Sequence, residues 1–572
     1  MTGWGKAQGL AAAFGWRSTL VLGGMVALFY VNRLFPEFPL YASDEGAYLI
    51  RALFADEIAV YPELHRNLQP VGNSAYLLVI RALKALTLNV LPWLRLIGAV
   101  AYFGGLLLLL RAVSPRLPRP QMWGLAAVTL LFPYYRFVFS AMPEGLYVGL
   151  LCAIIVTTAW LYLRRPYAHA LAVGALAAVL VLVKPHGLVA PLAFAFLVGV
   201  ESLFSPQARR GAAQRLILFA IAFLATGAAI DLAAQGPEAD PLLFFLGGAY
   251  SDHLGLEPPA DGLWLAGLGL ASMASVLALF AGPPVLAGLW SLAASARKIL
   301  REGGTFRRED LVFLFALALT LGTVAMVAVF TYKIATIDGE RYRLWGRYFE
   351  CFVPILWLAA APHLQPWRQG YRYAGCAAAG LALLGAMGLG AAFLSGVMLF
   401  PWDGTAVTAF FAPDPERWGF APQAPFRVLA FIATAGLVSA AAIRRDLYRS
   451  WAVYFVVLGV LSTMFDDLWV GEIAQQRSDI EHELHVARGL MTAAPGPSVA
   501  LVPNLNSAHL AYMRLNGGAR ILLAPPGKPP LADIEGYDWV IVMSGDVLDA
   551  PWQARFDGRE VDVFQHEVDP RP

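Results

Sequence analysis

Charged residues are scarce in this sequence. They make up 14% of the 572 residues, against 58% hydrophobic residues, whereas a soluble domain carries roughly 25% charged residues. Together with a mean hydropathy of +0.59, this scarcity excludes an ordinary soluble protein and predicts a polytopic α-helical membrane protein. The formal net charge is only +2, so nothing in the composition favours nucleic-acid binding, and basic residues are informative first as signals of membrane topology.

Cysteine is also rare, and several familiar motifs are missing. Cys152, Cys351 and Cys376 lie in or beside apolar runs without CxxC spacing, as buried small hydrophobic residues do, and they say little about the redox compartment. No small-residue cleavage site follows the first apolar segment, which predicts a retained span rather than a removed signal peptide. There is no internal repeat, and no matching pair of broken helices of the kind expected in many secondary transporters.

Long apolar runs are abundant instead. A run of about 17 apolar residues is long enough to cross the hydrocarbon core of a bilayer. By this criterion the sequence predicts about thirteen spans, near residues 17–34, 94–112, 121–138, 143–163, 168–184, 187–204, 214–234, 262–292, 310–332, 346–361, 373–400, 426–443 and 451–469. Lys184-Pro185-His186 interrupts the region 168–204, and the segment 346–361 is short.

The loops between these spans form two chemical groups. With the N-terminus inside, the cytoplasmic loops are basic, as in "RRPYAH", "SPQARRGAAQR" and "ARKILREGGTFRRED", which agrees with the bias of Lys and Arg toward the cytoplasm. The opposite loops, among them residues 35–93, 235–261 and 333–347, are acidic or mixed. This orientation predicts a cytoplasmic N-terminus and a C-terminal region on the outer side.

The sequence changes character after residue 469. Residues 1–469 are predicted to form the membrane domain, and residues 470–572 a small extramembrane α/β domain. In the latter, "SVALV", "RILLA" and "DWVIVM" predict short buried strands, with a helix at about 506–515. A connecting helix is expected through "EIAQQRSDIEHELHVARGLM". The C-terminal region contains neither a nucleotide-binding fingerprint nor a nucleophile elbow.

The first outer loop, residues 35–93, is too long for a simple connection. Its segments "EGAYLIRALFADE" and "NSAYLLVIRALKAL" have apolar residues at three-and-four spacing, which predicts two amphipathic helices lying along the membrane surface. Between them "YPELHRNLQPVG" is expected to be extended. Asp44 and Glu45 stand near the start of this loop. A purely structural explanation is that Ser43 caps a helix whose dipole favours acids in the first turn.

Basic residues occur on the outer side as well, where they are not expected. The segment "YKIATIDGERYRLWGRYF" contains Lys333, Arg341, Arg343 and Arg347. Because a guanidinium can bind phosphate through two parallel hydrogen bonds, these arginines indicate a bound anion, and Lys184 with His186 in "VKPHG" forms a second such pair. The alternatives are that neighbouring acids neutralise the arginines and that Lys184 extends its amine to the interface.

These features together resemble a known family. One span, an Asp-Glu pair opening an outer loop, two surface helices around "NLQP", and "LRLIGAVAYFGGLLLLLRA" resemble the N-terminal part of the membrane-embedded C-type (GT-C) glycosyltransferases. The sequence is similar in particular to the bacterial relatives of dolichyl-phosphate-mannose protein mannosyltransferase and of the lipid A aminoarabinose and galacturonic acid transferases. The resemblance covers about the first 200 residues and rests beyond them on span number and on "ERYRLWGRYFECFVPIL".

The resemblance implies an inverting glycosyltransferase. Such an enzyme would move a sugar from a polyprenyl-phosphate donor to a cell-envelope glycan, lipid or protein acceptor on the outer face of a bacterial inner membrane, with the C-terminal domain periplasmic or extracellular. An acidic residue of the first outer loop acts as general base in that family, and Asp44 is assigned this role with Glu45 beside it. A phosphate leaving group needs positive charge rather than a protonating acid. The candidates for phosphate binding are Arg347, Arg343, Arg341, Lys184 and His186.

Further residues are candidates for the acceptor or the cavity wall: Glu144, His65, Arg66 and Tyr348. Glu144 follows Pro143, which is also an ordinary helix start. No cofactor is required by the sequence, and a divalent cation, Mg or Mn, is left open because a few scattered oxygen ligands do not define a metal site. Two other functions stay open: a transporter or flippase for a lipid-linked glycan, which would place polar groups along a path through the bilayer, and a non-catalytic envelope-assembly protein.

Overall fold

The protein is described by a computed structural model. The described residues are 24, 31–34, 42–53, 58–60, 73–87, 89–113, 117, 119–236, 260–334, 343–364, 372–397, 404, 413–414, 419–420, 432–433, 435–436, 447–515, 518–523, 534–543, 548 and 552–566.

Most of this part of the chain is helical. In the first half the helices are α1 (Ala42–Leu53), α2 (Ser74–Leu86), α3 (Leu91–Val113), α4 (Arg119–Leu131), α5 (Tyr135–Val138), α6 (Glu144–Leu161), α7 (Pro166–Val183), α8 (Val189–Phe204) and α9 (Pro206–Gln235). In the second half they are α10 (Gly262–Glu302), α11 (Arg308–Ile334), α12 (Gly346–Phe349), α13 (Phe352–Ala360), α14 (Arg372–Leu394), α15 (Leu447–Ala493) and α16 (Leu505–Leu515). Short 3-10 turns occur at Val31–Leu34, Pro185–Leu188 and Ala361–His363.

Eight of the described helical segments are long and apolar enough to cross a membrane. They are α3, α6, α7, α8 with the turn before it, α9, α10, α11 and α14. This confirms the prediction of a multi-pass helical membrane protein. The predicted spans 17–34 and 426–443 lie mostly outside the described residues, and 451–469 lies within α15.

Two predicted spans are divided in the structure. The segment 121–138 is split into α4 and α5 by a turn at Phe132–Tyr134, because Pro133 has no N–H to continue the helix and restricts the residue before it. The segment 346–361 forms the short helices α12 and α13. Every residue of α13 is buried, so this strongly apolar segment fills the interior of the bundle instead of facing lipid.

Helices α3 and α6 approach each other through glycines. A Cβ at Gly145 would lie 2.5 Å from the carbonyl oxygen of Gly98, and a Cβ at Gly149 would lie 2.6 Å from that of Ala101. Small residues at such crossings allow two backbones to pack closely inside a membrane. This contact fixes the start of α6, where Glu144 stands.

The close approach predicts a strong effect of one added methyl group. We expect Gly145→Ala to lower the thermal unfolding midpoint, since its Cβ would collide with backbone atoms and overpacking costs about 1–3 kcal/mol. Gly104→Ala, on the same helix pair, is the matched control because a Cβ there meets no atom within 4 Å. Fluorescence-detected melting in detergent measures both; equal midpoints for the two variants would contradict the packing.

The C-terminal region forms a sheet that also takes in a strand from far upstream. The strands are β1 (Ile58–Val60), β4 (Ser498–Val502), β5 (Arg520–Leu523), β6 (Trp539–Val542), β7 (Trp552–Asp557) and β8 (Asp562–His566). Their order is β1-β5-β4-β6-β8-β7. The first four positions are parallel, and β8 and β7 extend the sheet antiparallel. A separate two-stranded sheet pairs β2 (Pro413–Asp414) with β3 (Gly419–Phe420).

The predicted strands and the helix near 506–515 are confirmed as β4, β5, β6 and α16. Strand β1 differs from the expectation, because it belongs to the first outer loop and pairs with β5 from Ile58 opposite Ile521 to Val60 opposite Leu523. A three-residue strand whose partner is hundreds of residues away leaves no local pattern in the sequence. Ile58–Val60, from the loop predicted to be on the outer side, thus belong to the C-terminal sheet.

Helix α1 lies between the membrane bundle and the C-terminal region. Leu49 packs with Tyr76 and Leu94 of the bundle, whereas the adjacent Ile50 packs with Leu484 of α15 and other apolar residues of the C-terminal region. Both Leu49 and Ile50 are completely buried. Two faces of α1 are therefore covered by protein, and its predicted location along the membrane surface stays a prediction. On helix α2, by contrast, Leu86 near the end of the helix is 83% exposed.

Candidate functional site

The segment that contains α1 and α2 is held against the turn that precedes α6. Glu45, on α1, is completely buried, and its carboxylate accepts a hydrogen bond from the backbone N–H of Ala141. The hydroxyl of Tyr76, on α2, donates to the carbonyl oxygen of Ala141 at 2.7 Å. Burial, together with the charges of Glu144 and Glu45, raises the pKa of Tyr76, so the phenol stays neutral and able to donate. Two helices of the first outer segment thus bind one residue of this turn.

The turn leads into a buried ion pair. Glu144 is the first residue of α6 and Lys184 follows the last residue of α7, positions where the helix dipoles favour a negative and a positive charge respectively. The Nζ of Lys184 lies 2.6 Å from Oε1 of Glu144, and both side chains are buried. Within the described part of the chain, Oε2 of Glu144 has no hydrogen-bond partner. The pair therefore retains one carboxylate oxygen that can accept a hydrogen bond.

Tyr348 is the centre of a group of basic side chains. Its ring lies 4.8 Å from Nζ of Lys184 and stacks on the ring of His186 at 4.3 Å. The Nη2 of Arg347 donates to the Tyr348 hydroxyl at 3.0 Å. These contacts bring "VKPHG" and "LWGRYF" together, although more than 150 residues separate them in the sequence.

Arg347 also reaches the turn that binds Glu45. Its Nη1 lies 3.9 Å from Sδ of Met142, the residue after Ala141, and its carbonyl oxygen accepts a hydrogen bond of 2.9 Å from Tyr134. Arg347 is buried, so its guanidinium is fixed by packing at this position. One short turn thus contacts an acidic residue of α1 on one side and an arginine of α12 on the other.

Arg343 does not contact Tyr348 directly but lies against the neighbouring ring of Trp345. Its guanidinium is 3.9 Å from the ring centroid of Trp345, and Trp345 stacks on Tyr348 at 5.5 Å. The indole therefore stands between Arg343 and the ring that Lys184 and Arg347 contact.

Other predicted site residues fall outside what the structure describes. Arg341, His65 and Arg66 are not among the described residues, and Asp44 is described only as part of α1, without its side chain. In the described ranges there is no group of three or more His, Cys, Asp or Glu side chains that could hold a metal ion. The roles assigned to all these residues stay predictions.

The sequence pattern does not single out several residues that shape this site. Tyr76, Tyr134 and Met142 contact it, but each lies in an apolar stretch where an aromatic residue or methionine is ordinary core packing. Arg477, on α15, is another: burial lowers its pKa, and the charge of Glu45 opposes that change. The C-terminal half therefore contributes a cation near Glu45. We name the group Glu45, Glu144, Lys184, His186, Arg347 and Tyr348 the acid–cation cluster.

The acid–cation cluster is suited to bind an anion. Charges in a buried environment interact more strongly than in water, and the charged groups of Lys184 and Arg347 lie 4.8 Å and 5.0 Å from the centre of the Tyr348 ring. The carboxylate of Glu45 accepts a hydrogen bond from the backbone N–H of Ala141, and that of Glu144 is paired with Lys184. Such a site can hold a phosphate at its cations while keeping carboxylates close by.

Comparisons with known proteins give a fold but no sequence family. No protein-family model matches the chain, and no curated protein matches it. The crystal structure of ArnT from Cupriavidus metallidurans bound to undecaprenyl phosphate aligns with a TM-score of 0.55 and 13% identity, over 95% of this chain and 97% of that chain. The apo structure of ArnT gives a TM-score of 0.53 and 14% identity, over 97% and 98%. This protein therefore shares its fold with ArnT over nearly the whole length of both chains.

Proposed function

We propose that this protein is an inverting glycosyltransferase that takes a sugar from a polyprenyl-phosphate donor. The acceptor is a cell-envelope glycan, lipid or protein on the outer face of a bacterial inner membrane. The observation that carries the proposal is the acid–cation cluster, in which a buried arginine and lysine gather around one tyrosine beside two buried carboxylates. The shared fold with ArnT, whose structure was solved with undecaprenyl phosphate bound, supports the choice of a lipid phosphate.

In this mechanism the cations hold the donor phosphate. Arg347 and Lys184 donate to its oxygens, and Tyr348 keeps the two cations at a fixed separation through its ring and hydroxyl. Donors that are already in place where negative charge develops lower the barrier without reorganising. Glu144 keeps Lys184 charged in a buried position, because an isolated ammonium is costly to bury.

Transfer itself needs a base and no acid. Asp44 accepts the proton of the acceptor hydroxyl as the hydroxyl oxygen forms a bond to the anomeric carbon from the face opposite the phosphate. The bond between the anomeric carbon and the phosphate oxygen breaks, and its electron pair leaves with the polyprenyl phosphate. The leaving group departs as a phosphate monoester, so no protonating carboxylic acid is required, unlike in glycosidases. Glu45 holds the first outer segment against the turn at Ala141 and so keeps Asp44 near the cations.

The test uses undecaprenyl phosphate as probe. We expect purified protein to bind it, and Arg347→Ala to bind it roughly 10- to 100-fold more weakly, since hydrogen bonds to charged groups contribute about 1.5–3 kcal/mol. Native mass spectrometry of the detergent-solubilised protein measures the binding. Undecaprenol, which lacks the phosphate, is the comparison ligand.

Arg297→Ala is the matched control because Arg297 is an exposed residue of α10 and should leave binding unchanged. Two results would contradict the assignment of the phosphate to Arg347. One is equal affinity of the wild-type protein for undecaprenol and undecaprenyl phosphate, and the other is equal affinity of Arg347→Ala and Arg297→Ala for undecaprenyl phosphate. Mass spectrometry of envelope glycans from a deletion strain then identifies the transferred sugar and its acceptor; unchanged glycans would contradict a transferase.

A further inference from the structure

A polar cavity lies at the end of α6 that is opposite to Glu144. Its volume is about 420 Å³, and it is lined by Ala159, Trp160, Leu163, Arg164, Arg307, Arg308 and Glu309. Glu144 and Trp160 are 16 residues apart at the two ends of this helix, which corresponds to roughly 24 Å at about 1.5 Å per residue. The cavity is thus separate from the acid–cation cluster and lies toward the opposite membrane face. We name it the arginine cavity.

The arginine cavity carries a net positive charge. Its lining has three arginines and one glutamate. Arg307 is held in place because its Nε and Nη2 donate to Asp310, a fully buried residue behind it, and to Ser291. Arg308 lies 3.5 Å from Glu309, and the exposed side chain of Arg164 has no partner among the described residues. Counting Asp310 with the lining still leaves one positive charge in excess.

The rim of the arginine cavity is apolar. Trp160 is 48% exposed and Leu163 is 47% exposed. Trp160 lies in the last turn of α6, a candidate membrane span, and Leu163 is the second residue after the end of that helix. Exposed tryptophan at the end of a span is typical of the membrane–water interface. A ligand in this cavity therefore meets cations on one side and hydrocarbon on the other.

We propose that the arginine cavity binds the headgroup of an anionic phospholipid. The headgroup phosphate accepts hydrogen bonds from Arg164 and Arg308, while the glycerol and the start of the acyl chains lie on Trp160 and Leu163. Basic pockets between helix ends are suited to lipid headgroups, and the apolar rim favours a lipid over a soluble phosphate. The loops "RRPYAH" and "GGTFRRED", which form this end of the bundle, are the ones predicted to be cytoplasmic.

The test measures lipid bound to the delipidated full-length protein. Phosphatidylglycerol is titrated and followed by native mass spectrometry, with phosphatidylethanolamine and inorganic phosphate as comparison ligands. We expect Arg164→Ala to weaken phosphatidylglycerol binding about fivefold, and Arg164→Ala with Arg308→Ala to weaken it further, because each cation near a membrane surface contributes about 1 kcal/mol toward an anionic lipid. Arg301→Ala is the matched control, since Arg301 is basic and exposed on α10 but does not line the cavity.

Each outcome supports or overturns the lipid site. Weaker phosphatidylglycerol binding in the cavity variants alone, with phosphatidylethanolamine bound poorly by all forms, supports the site. Equal loss in Arg301→Ala means that the arginines act only through general surface charge and overturns it. Displacement of phosphatidylglycerol from the wild-type protein by millimolar inorganic phosphate would indicate a site for a soluble anion and would overturn the lipid site. Melting curves of every variant separate a folding defect from lost binding, and Arg164→Lys, which keeps the charge, should retain most of the affinity.

Discussion

Asp44→Asn should reduce sugar transfer by about 10²- to 10⁴-fold, the usual contribution of a general base, while undecaprenyl-phosphate binding stays intact. The amide has nearly the shape of the carboxylate but cannot take the proton of the acceptor hydroxyl. The cations assigned to the phosphate are on other helices, so donor affinity should not change. Transfer is measured with membranes carrying the donor, and binding by native mass spectrometry of the same preparation.

Glu45→Gln is the matched control for this experiment. Its side-chain oxygen can still accept the hydrogen bond from the Ala141 backbone, so the first outer segment should stay docked and transfer should fall much less. A larger loss of sugar transfer in Glu45→Gln than in Asp44→Asn would indicate that Glu45, and not Asp44, is the general base. Wild-type transfer rates in both variants would show that neither Asp44 nor Glu45 is the general base.

Lys184→Met should destabilise the protein and also abolish donor binding. The substitution leaves Glu144 buried without its partner, and removing one member of a buried ion pair costs about 3–5 kcal/mol. The thermal unfolding midpoint should therefore fall clearly, and affinity for undecaprenyl phosphate should fall with it. Lys184 and Glu144 are 2.6 Å apart, so their contributions are expected to be strongly non-additive.

The double variant Lys184→Met with Glu144→Gln separates stability from binding. Without either charge, most of the lost stability should return, because no uncompensated carboxylate is left buried. Donor binding should not return if Lys184 contacts the phosphate. Full recovery of binding in the double variant would mean that Lys184 has only a structural role, and an unaltered midpoint in the single variant would show that the pair contributes nothing to stability.

The elements that the sequence predicts are those whose information is local. Apolar length locates α3, α6 and α11, and alternating short runs locate the strands β4, β5 and β6. What local pattern cannot supply depends on tertiary contact. Nothing in "EIAVYP" indicates that Ile58 pairs with Ile521, and the apolar spacing of α1 is the same whether lipid or protein covers it.

The candidate site shows the same division. Arginines on the side where they are not expected, and the Lys-Pro-His interruption, are local signals that indicate anion binding. The partner of each basic residue is a tertiary contact: Lys184 with Glu144, His186 with Tyr348, and Arg347 with the turn at Ala141–Pro143. Tyr348 is a cavity candidate without a defined role in the sequence, and in the structure it contacts both Lys184 and Arg347.

The pairing of β1 with β5 has a consequence for biosynthesis. Ile58 and its partner Ile521 are 463 positions apart, 521 minus 58, so at about 5–20 residues per second the ribosome delivers the second strand roughly 20–90 s after the first. During that interval α1 has been made but lacks the apolar surface that covers Ile50. The partners of Glu45 and Leu49 on the other side of this helix are made much earlier, so α1 can dock on the membrane bundle first and is covered on its second face only when translation is nearly finished.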